Sequence, residues 1–210
     1  IIIAHNRFNK SLTLDIENKM MLYMSGVSEV GRLNNRRENE QNKYFTDDIR
    51  DNVFSKIWRK LRKVNNNLFP LERIIQDSAI FKASPFHKLT EEQNNAKDLI
   101  LERVSEALLG NKQNQLILVE GEAGSGKTVL LSTIFYLMNQ YSQNEDFPEF
   151  KESRNFLLVN HDEQLKVYED TIEKLGISGE GEKIVSKPTT FINNHAPEDK
   201  VDVVLVDEAH

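Results

Sequence analysis

Eight consecutive residues, Gly121-Glu122-Ala123-Gly124-Ser125-Gly126-Lys127-Thr128, have the types and spacing of a phosphate-binding loop, G-x-x-x-x-G-K-[ST]. Gly121, Gly124 and Gly126 allow backbone conformations that a side chain forbids. Successive N–H groups then converge on phosphate oxygens, helped by the positive end of a following helix. Lys127 is expected to reach the β- and γ-phosphates of ATP and to act in catalysis, and the Thr128 hydroxyl to sit on Mg2+. A second acidic signature, Asp207-Glu208-Ala209-His210, closes the run Val201–Val206, which is apolar apart from Asp202. An acidic pair at the carboxyl end of a buried parallel strand suits the Walker B role. Asp207 is expected to hold Mg2+, and Glu208 to position and deprotonate the attacking water. The bland alternatives are a glycine-rich turn and a solvated strand end.

These groups work only if flanking elements hold them. Leu116-Ile117-Leu118-Val119 reads as a strand over 116–120 entering the loop, and residues 128–141 as the helix leaving it. Thr90-Glu91-Glu92-Gln93 is a capping-box pattern that opens a helix to Leu109, with Gly110 placed to end it. Phe156–Val159 reads as a strand, Glu163–Leu175 as a helix, Ile184-Val185 as a short strand and Thr189–Asn193 as a helical turn. Val201–Val206 reads as a strand buried on both faces. Strands alternating with helices predict an α/β fold, with a parallel sheet flanked by helices. Ahead of it the pattern is mainly helical. Leu12–Met24 and Asp48–Val64 carry apolar residues at helical spacing, the latter at Ile49, Val53, Ile57 and Leu61. Residues 31–43 read as a loop or solvated helix, Leu68–Pro85 as a connector with one short helix, and Ile1–Ala4 as a strand end. The expected division is residues 1–85 and residues 86–210.

Composition bounds the function classes. The 210 residues contain no cysteine, which excludes disulfides and thiolate metal sites and makes an intracellular, cytoplasmic setting the default. No apolar stretch approaches the roughly 18 residues of a membrane span. The net charge of −6 divides unevenly, +5 over residues 1–70 and −11 over residues 71–210. A basic front suits nucleic acid, although a solvated helical face is the commoner meaning. The chain lacks Met at position 1 and stops at His210 directly after the acidic pair, so a fragment of a larger protein is expected.

With both motifs placed, residues 86–210 resemble the first RecA-like domain of a superfamily 1 helicase, within the Schlafen-like group of DNA/RNA helicase domains. That group is known as a bacterial DEAH-box P-loop domain of unknown function. The resemblance rests on Leu89–Gln93, Gly121–Thr128, Leu158-Val159-Asn160-His161, Lys187–Asn193 and Asp207–His210. It implies ATP and Mg2+ as ligands, with Gln93 reading the adenine edge. The local alternative is that Gln93 only completes the cap begun by Thr90. It further implies that Asn160, His161, Thr189, Thr190 and Asn193 touch single-stranded nucleic acid, against the ordinary reading of loop and cap residues. No aromatic-rich basic stripe reinforces that contact. The helicase family supplies transition-state arginines from a second RecA-like domain, expected to be missing from this chain. Weak Mg-ATP binding and negligible hydrolysis follow for these residues alone.

At the front, Leu14–Met20 followed by Arg32-Leu33-Asn34-Asn35 resembles the last third of a GIY-YIG nuclease module. There one helix presents a Glu to the catalytic metal and an Asn follows. Glu17 is that ligand under the resemblance and Asn34 that Asn, although neither a GIY nor a YIG tripeptide occurs here. The leading expectation is part of an ATP-dependent nucleic-acid helicase or translocase. The main rival is a nucleotide-dependent switch that controls an attached nuclease module without unwinding. A small-molecule kinase explains the loop but leaves Asp-Glu-Ala-His and the Thr-Thr-Phe-Ile-Asn segment without a role.

Overall fold

The first helix starts where the sequence supplies a cap. The Asn9 side chain accepts from Leu12 N at 2.8 Å, and α1 runs Lys10–Ser25. In the computed structural model, residues 2–34, 43–110, 114–177, 182–196 and 198–207 are described. They group into two compact units, Ile1–His87 with Glu173–Gly176, and Lys88–Ile172 with Ile177–His210.

The first unit is helical. After α1 come a 3-10 turn at Asp47–Ile49, α2 at Arg50–Val64, α3 at Glu72–Asp77 and α4 at Ala79–Ala83. Its core is aromatic: Tyr23 lies 4.7 Å from Phe54, 5.2 Å from Trp58 and 5.1 Å from Phe81 by ring centroids. Trp58 is 1% exposed and donates its indole N–H to Pro70 O at 2.8 Å, which satisfies the polar edge of a ring that otherwise packs on apolar neighbours. The helical pattern of α2 is present, but its buried positions are Val53, Phe54 and Trp58. Ile57 and Leu61 are only half-buried. Val53 belongs to both sets, and the buried face turns by roughly 60° toward Phe54 and Trp58 from the one the aliphatic spacing suggests. The connector over 68–85 holds two short helices rather than one, and Ile2–Ala4 form no strand.

The second unit contains α5 (Glu91–Leu109), α6 (Lys127–Tyr141), β1 (Asn155–Val159), most of α7 (Asp162–Leu175), β2 (Val185–Ser186), α8 (Pro188–Asn194) and β3 (Val203–Asp207). The strands form a parallel sheet in the order β2-β1-β3. In register, Leu157 faces Val185 across the first pair, and Val159 faces Asp207 across the second. β1 is buried along its whole length, as an apolar run in the centre of a covered parallel sheet must be. α6 is apolar around most of its circumference and buries Leu130, Ile134, Phe135, Leu137 and Met138. It packs against β1, β3 and α5.

One Arg ties the strand entrances together. Arg154, just before β1, donates Nη2 to both carboxylate oxygens of Glu182 at 2.8 Å, shortly before β2. Its backbone N–H donates to Asp202 Oδ2 at 2.9 Å, immediately before β3. Glu182 also meets His195 Nε2 at 2.8 Å, at the end of α8. Burial pushes the Glu182 carboxyl up, but the hydrogen bonds and charges of Arg154 and His195 outweigh it and hold the group below the usual carboxylate range. Asp202 is thus a capping ligand at the strand entrance, and the expected apolar strand over 201–206 begins instead at Val203. β3 is also not buried on both faces: Val204 is 39% and Val206 44% exposed. Residues 116–120, expected as a strand, do not join the sheet. Leu116 is 89% and Leu118 72% exposed, and they pair with no strand among the described residues.

Candidate functional site

The loop over Gly121–Thr128 is built by two left-handed glycines and a helix start. Gly124 has φ +79° and Gly126 φ +82°, a region that a Cβ makes costly. Gly126 is also the N-cap of α6, and no side chain caps that end. The first-turn N–H groups of α6 therefore carry no side-chain acceptor, which is the condition under which a helix start receives an anion. The Lys127 ammonium is held over the loop, donating to Gly121 O at 2.8 Å and Glu122 O at 3.0 Å. Glu122 O also accepts from Ser125 N at 3.2 Å, closing the turn. Gly121 through Ser125 are exposed. The site is thus an open loop with a cation and a positive helix end, suited to a polyphosphate.

Gln93 completes the capping box as the sequence predicts. Its backbone N–H donates to Thr90 Oγ1 at 3.2 Å, and its Oε1 accepts from Thr90 N at 2.9 Å. The structure adds a third bond, from Gln93 Nε2 to Ser125 O at 2.8 Å, which brings the start of α5 onto the glycine loop.

Parallel topology places the ends of all three strands on one edge. The amino edge is occupied by the Arg154 network. The carboxyl edge therefore carries Asn160 and His161 after β1, Lys187 after β2 and Asp207 at the end of β3. Asp207 is 7% exposed and accepts from the Tyr168 hydroxyl at 3.0 Å. Tyr168, from α7, is a partner of Asp207 that the sequence reading missed. A Tyr on an amphipathic helix gives no sequence signal for such a contact. Lys187 pairs with Asp162 at 2.7 Å across this edge. Thr189, Thr190 and Asn193 are exposed on α8, as is Asn160. Glu208, Ala209 and His210 lie outside the described residues, as do Asn35, Arg36 and Arg37.

For Mg2+, Thr128 lies in the first turn of α6 and Asp207 ends β3, the strand on which α6 packs. One hydroxyl and one carboxylate suit an ion that takes few protein ligands and completes its shell with phosphate and water. Glu17 is different. It lines a cleft of about 350 Å3 with Ile3, Phe8, Ile16, Met20 and Met24, an apolar surrounding for a metal ligand. Among the described residues no group of three His, Asp or Glu side chains gathers to hold a metal, at Glu17 or elsewhere. No described helix is long and apolar enough to cross a membrane.

With this geometry in place, residues 114–210 match the Schlafen group 3, DNA/RNA helicase domain. The matched span runs from just before the glycine loop through the acidic pair and takes in most of the second unit. The chain is also similar to the uncharacterized protein YPL245W of Saccharomyces cerevisiae, 29% identical over 164 residues, covering 73% of this chain and 35% of that protein. The chain thus spans about a third of the length of the curated relative it matches. No solved structure matches it. The part of this molecule that carries the loop, the carboxyl edge of the sheet and Asp207 is the part that resembles a Schlafen-type DNA/RNA helicase domain.

Proposed function

We propose that this chain carries the ATP-binding portion of a nucleic-acid helicase or translocase motor of RecA-like type, with Gly121–Thr128 as Walker A and Asp207-Glu208 as Walker B. The observation that carries the reading is the loop itself. Two left-handed glycines, an α6 start without a side-chain cap and an ammonium folded over the loop occur together inside a stretch that matches a helicase domain.

In this reading the backbone N–H groups of the loop bind the phosphates, and Lys127 leaves its carbonyl partners for the β- and γ-phosphate oxygens. Thr128 and Asp207 hold Mg2+. The ion, when bound, neutralises charge on the transferring phosphoryl group. Tyr168 keeps the Asp207 carboxylate oriented. Glu208 takes the proton of the attacking water. The exposed Asn160, His161, Thr189, Thr190 and Asn193 face the nucleic acid, and the rest of the motor completes the site from a second domain. The carboxyl-edge placement of these residues supports that arrangement, since ligands of open parallel sheets bind there.

The test is equilibrium binding of Mg-ATP to this chain by calorimetry, with Lys127→Ala beside it. Removing the ammonium deletes a charge-assisted contact, so affinity is expected to fall roughly 10-fold or more. An unaltered chain that takes up no nucleotide, or a Lys127→Ala chain that binds as well, refutes the reading. Strand displacement by a longer form of the protein, with and without Glu208→Gln, separates unwinding from switching.

A further inference from the structure

Gln93 joins two elements that the chain separates by 32 residues. Its side-chain amide has one acceptor and one donor group, and each faces a backbone partner of fixed role. Thr90 N–H can only donate, at 2.9 Å, and Ser125 C=O can only accept, at 2.8 Å. One orientation of the amide satisfies both. Opposite Gln93 the loop has a glycine for two reasons. Gly126 needs φ +82°, and a Cβ there would collide with Gln93 Nε2.

The consequence lies in the Ser125–Gly126 peptide. A trans peptide is planar, and its C=O and N–H point in opposite directions. Fixing Ser125 O towards Gln93 therefore turns the Gly126 N–H away from Gln93. Gly126 is the N-cap of α6, so its N–H belongs to the set of donors at that helix start. We infer that Gln93 is a positioning residue for the phosphate loop, setting the Ser125–Gly126 peptide so that the Gly126 N–H is presented to the polyphosphate. Gln93 thereby acts on the part of the ligand common to all nucleoside triphosphates. Its Oε1 and one Nε2 hydrogen are already committed to backbone. This inference rests on the phosphate-loop reading given above.

Two substitutions separate the bridge from the cap. Gln93→Glu keeps an acceptor for Thr90 N, as a capping box requires, but cannot donate to Ser125 O. Thr90→Ala removes the cap hydroxyl and leaves the bridge. Without nucleotide, the Gly126 and Lys127 amide resonances of the 210-residue chain are expected to shift, and to exchange faster, in Gln93→Glu but not in Thr90→Ala. With Mg2+ present, ATP, GTP and inorganic tripolyphosphate are each titrated calorimetrically. Gln93→Glu is expected to weaken all three by the same factor, at least the roughly 3–10-fold that loss of one hydrogen bond implies, because its carboxylate also adds negative charge beside the loop. Thr90→Ala is expected to leave all three within about 2-fold. A loss confined to ATP makes Gln93 a base reader and overturns the inference, as do amide signals and affinities that Gln93→Glu leaves unchanged. An unaltered chain that binds none of the three ligands overturns the phosphate-loop reading and this inference with it. Unchanged affinity in Gln93→Glu beside a binding unaltered chain overturns this inference alone.

Discussion

Replacing Gly126 with Ala strikes the loop at its most constrained residue. Gly126 has φ +82°, ψ 27°, and a Cβ there would collide with the Gln93 amide. A Cβ in the left-handed region costs about 1–2 kcal/mol. The new methyl also displaces the Gln93 side chain. That group is the far end of a flexible chain, so it can move, but the bond to Ser125 O is lost, at a net cost of about 1 kcal/mol. The expected total is roughly 2–3 kcal/mol, borne by the second unit. Urea unfolding followed by hydrogen exchange at the α6 and β1 amides measures it. With a slope of about 1–3 kcal/mol per M, the midpoint for those amides falls by roughly 0.7–3 M. Trp58, the single tryptophan, lies in the first unit and gives a separate fluorescence signal for that unit. Gly110→Ala is the control. Gly110 ends α5 as expected, but with φ −80° and ψ 0°, which Ala adopts readily. Its replacement is expected to be neutral or to stabilise by about 0.4–1 kcal/mol. If Gly126→Ala costs no more than Gly110→Ala, the account of the loop as held by backbone conformation and by Gln93 is wrong.

Two further outcomes concern stability elsewhere. Trp58→Phe removes the donor to Pro70 O and part of a fully buried ring, and is expected to cost roughly 2–3 kcal/mol in the first unit, read by circular dichroism during urea unfolding. A cost below about 0.5 kcal/mol would remove Trp58 from the centre of that core. The depressed Glu182 carboxyl predicts a pH effect. A carboxyl held below its unfolded value near 4.3 stabilises the fold above that pH, and the contribution is lost as pH falls through the lower folded value. The stability gap between the unaltered chain and Glu182→Gln is therefore expected to be full at neutral pH and to close as pH drops below about 4.3. A gap that is constant with pH refutes the ion-network account of the amino edge.

Local physics made much of this molecule legible from its residues. Glycines at 124 and 126 permit the left-handed turns that the loop uses, Thr90 and Gln93 form the capping box, and the run Phe156–Val159 is buried along its length as a central parallel strand. These features follow from backbone sterics, short-range hydrogen bonding and hydrophobic period, all of which are local. Pairing and edges are non-local, and there the sequence underdetermined the result. Leu116–Val119 has the composition of a strand, but a strand exists only where a neighbour supplies the ladder. Val204 and Val206 look like buried residues, but they share one face of β3 and that face is partly exposed, while Leu205 and Asp207 on the other face are buried. In α2 the aliphatic spacing pointed to Ile57 and Leu61, while the aromatic cluster turned the buried face to Phe54 and Trp58. The tertiary structure alone brought Tyr168 to Asp207, gathered Glu182 and Asp202 onto Arg154, and laid Gln93 on Ser125. Each of those contacts joins residues far apart in the chain, and no short-range rule fixes which distant partner a polar side chain meets.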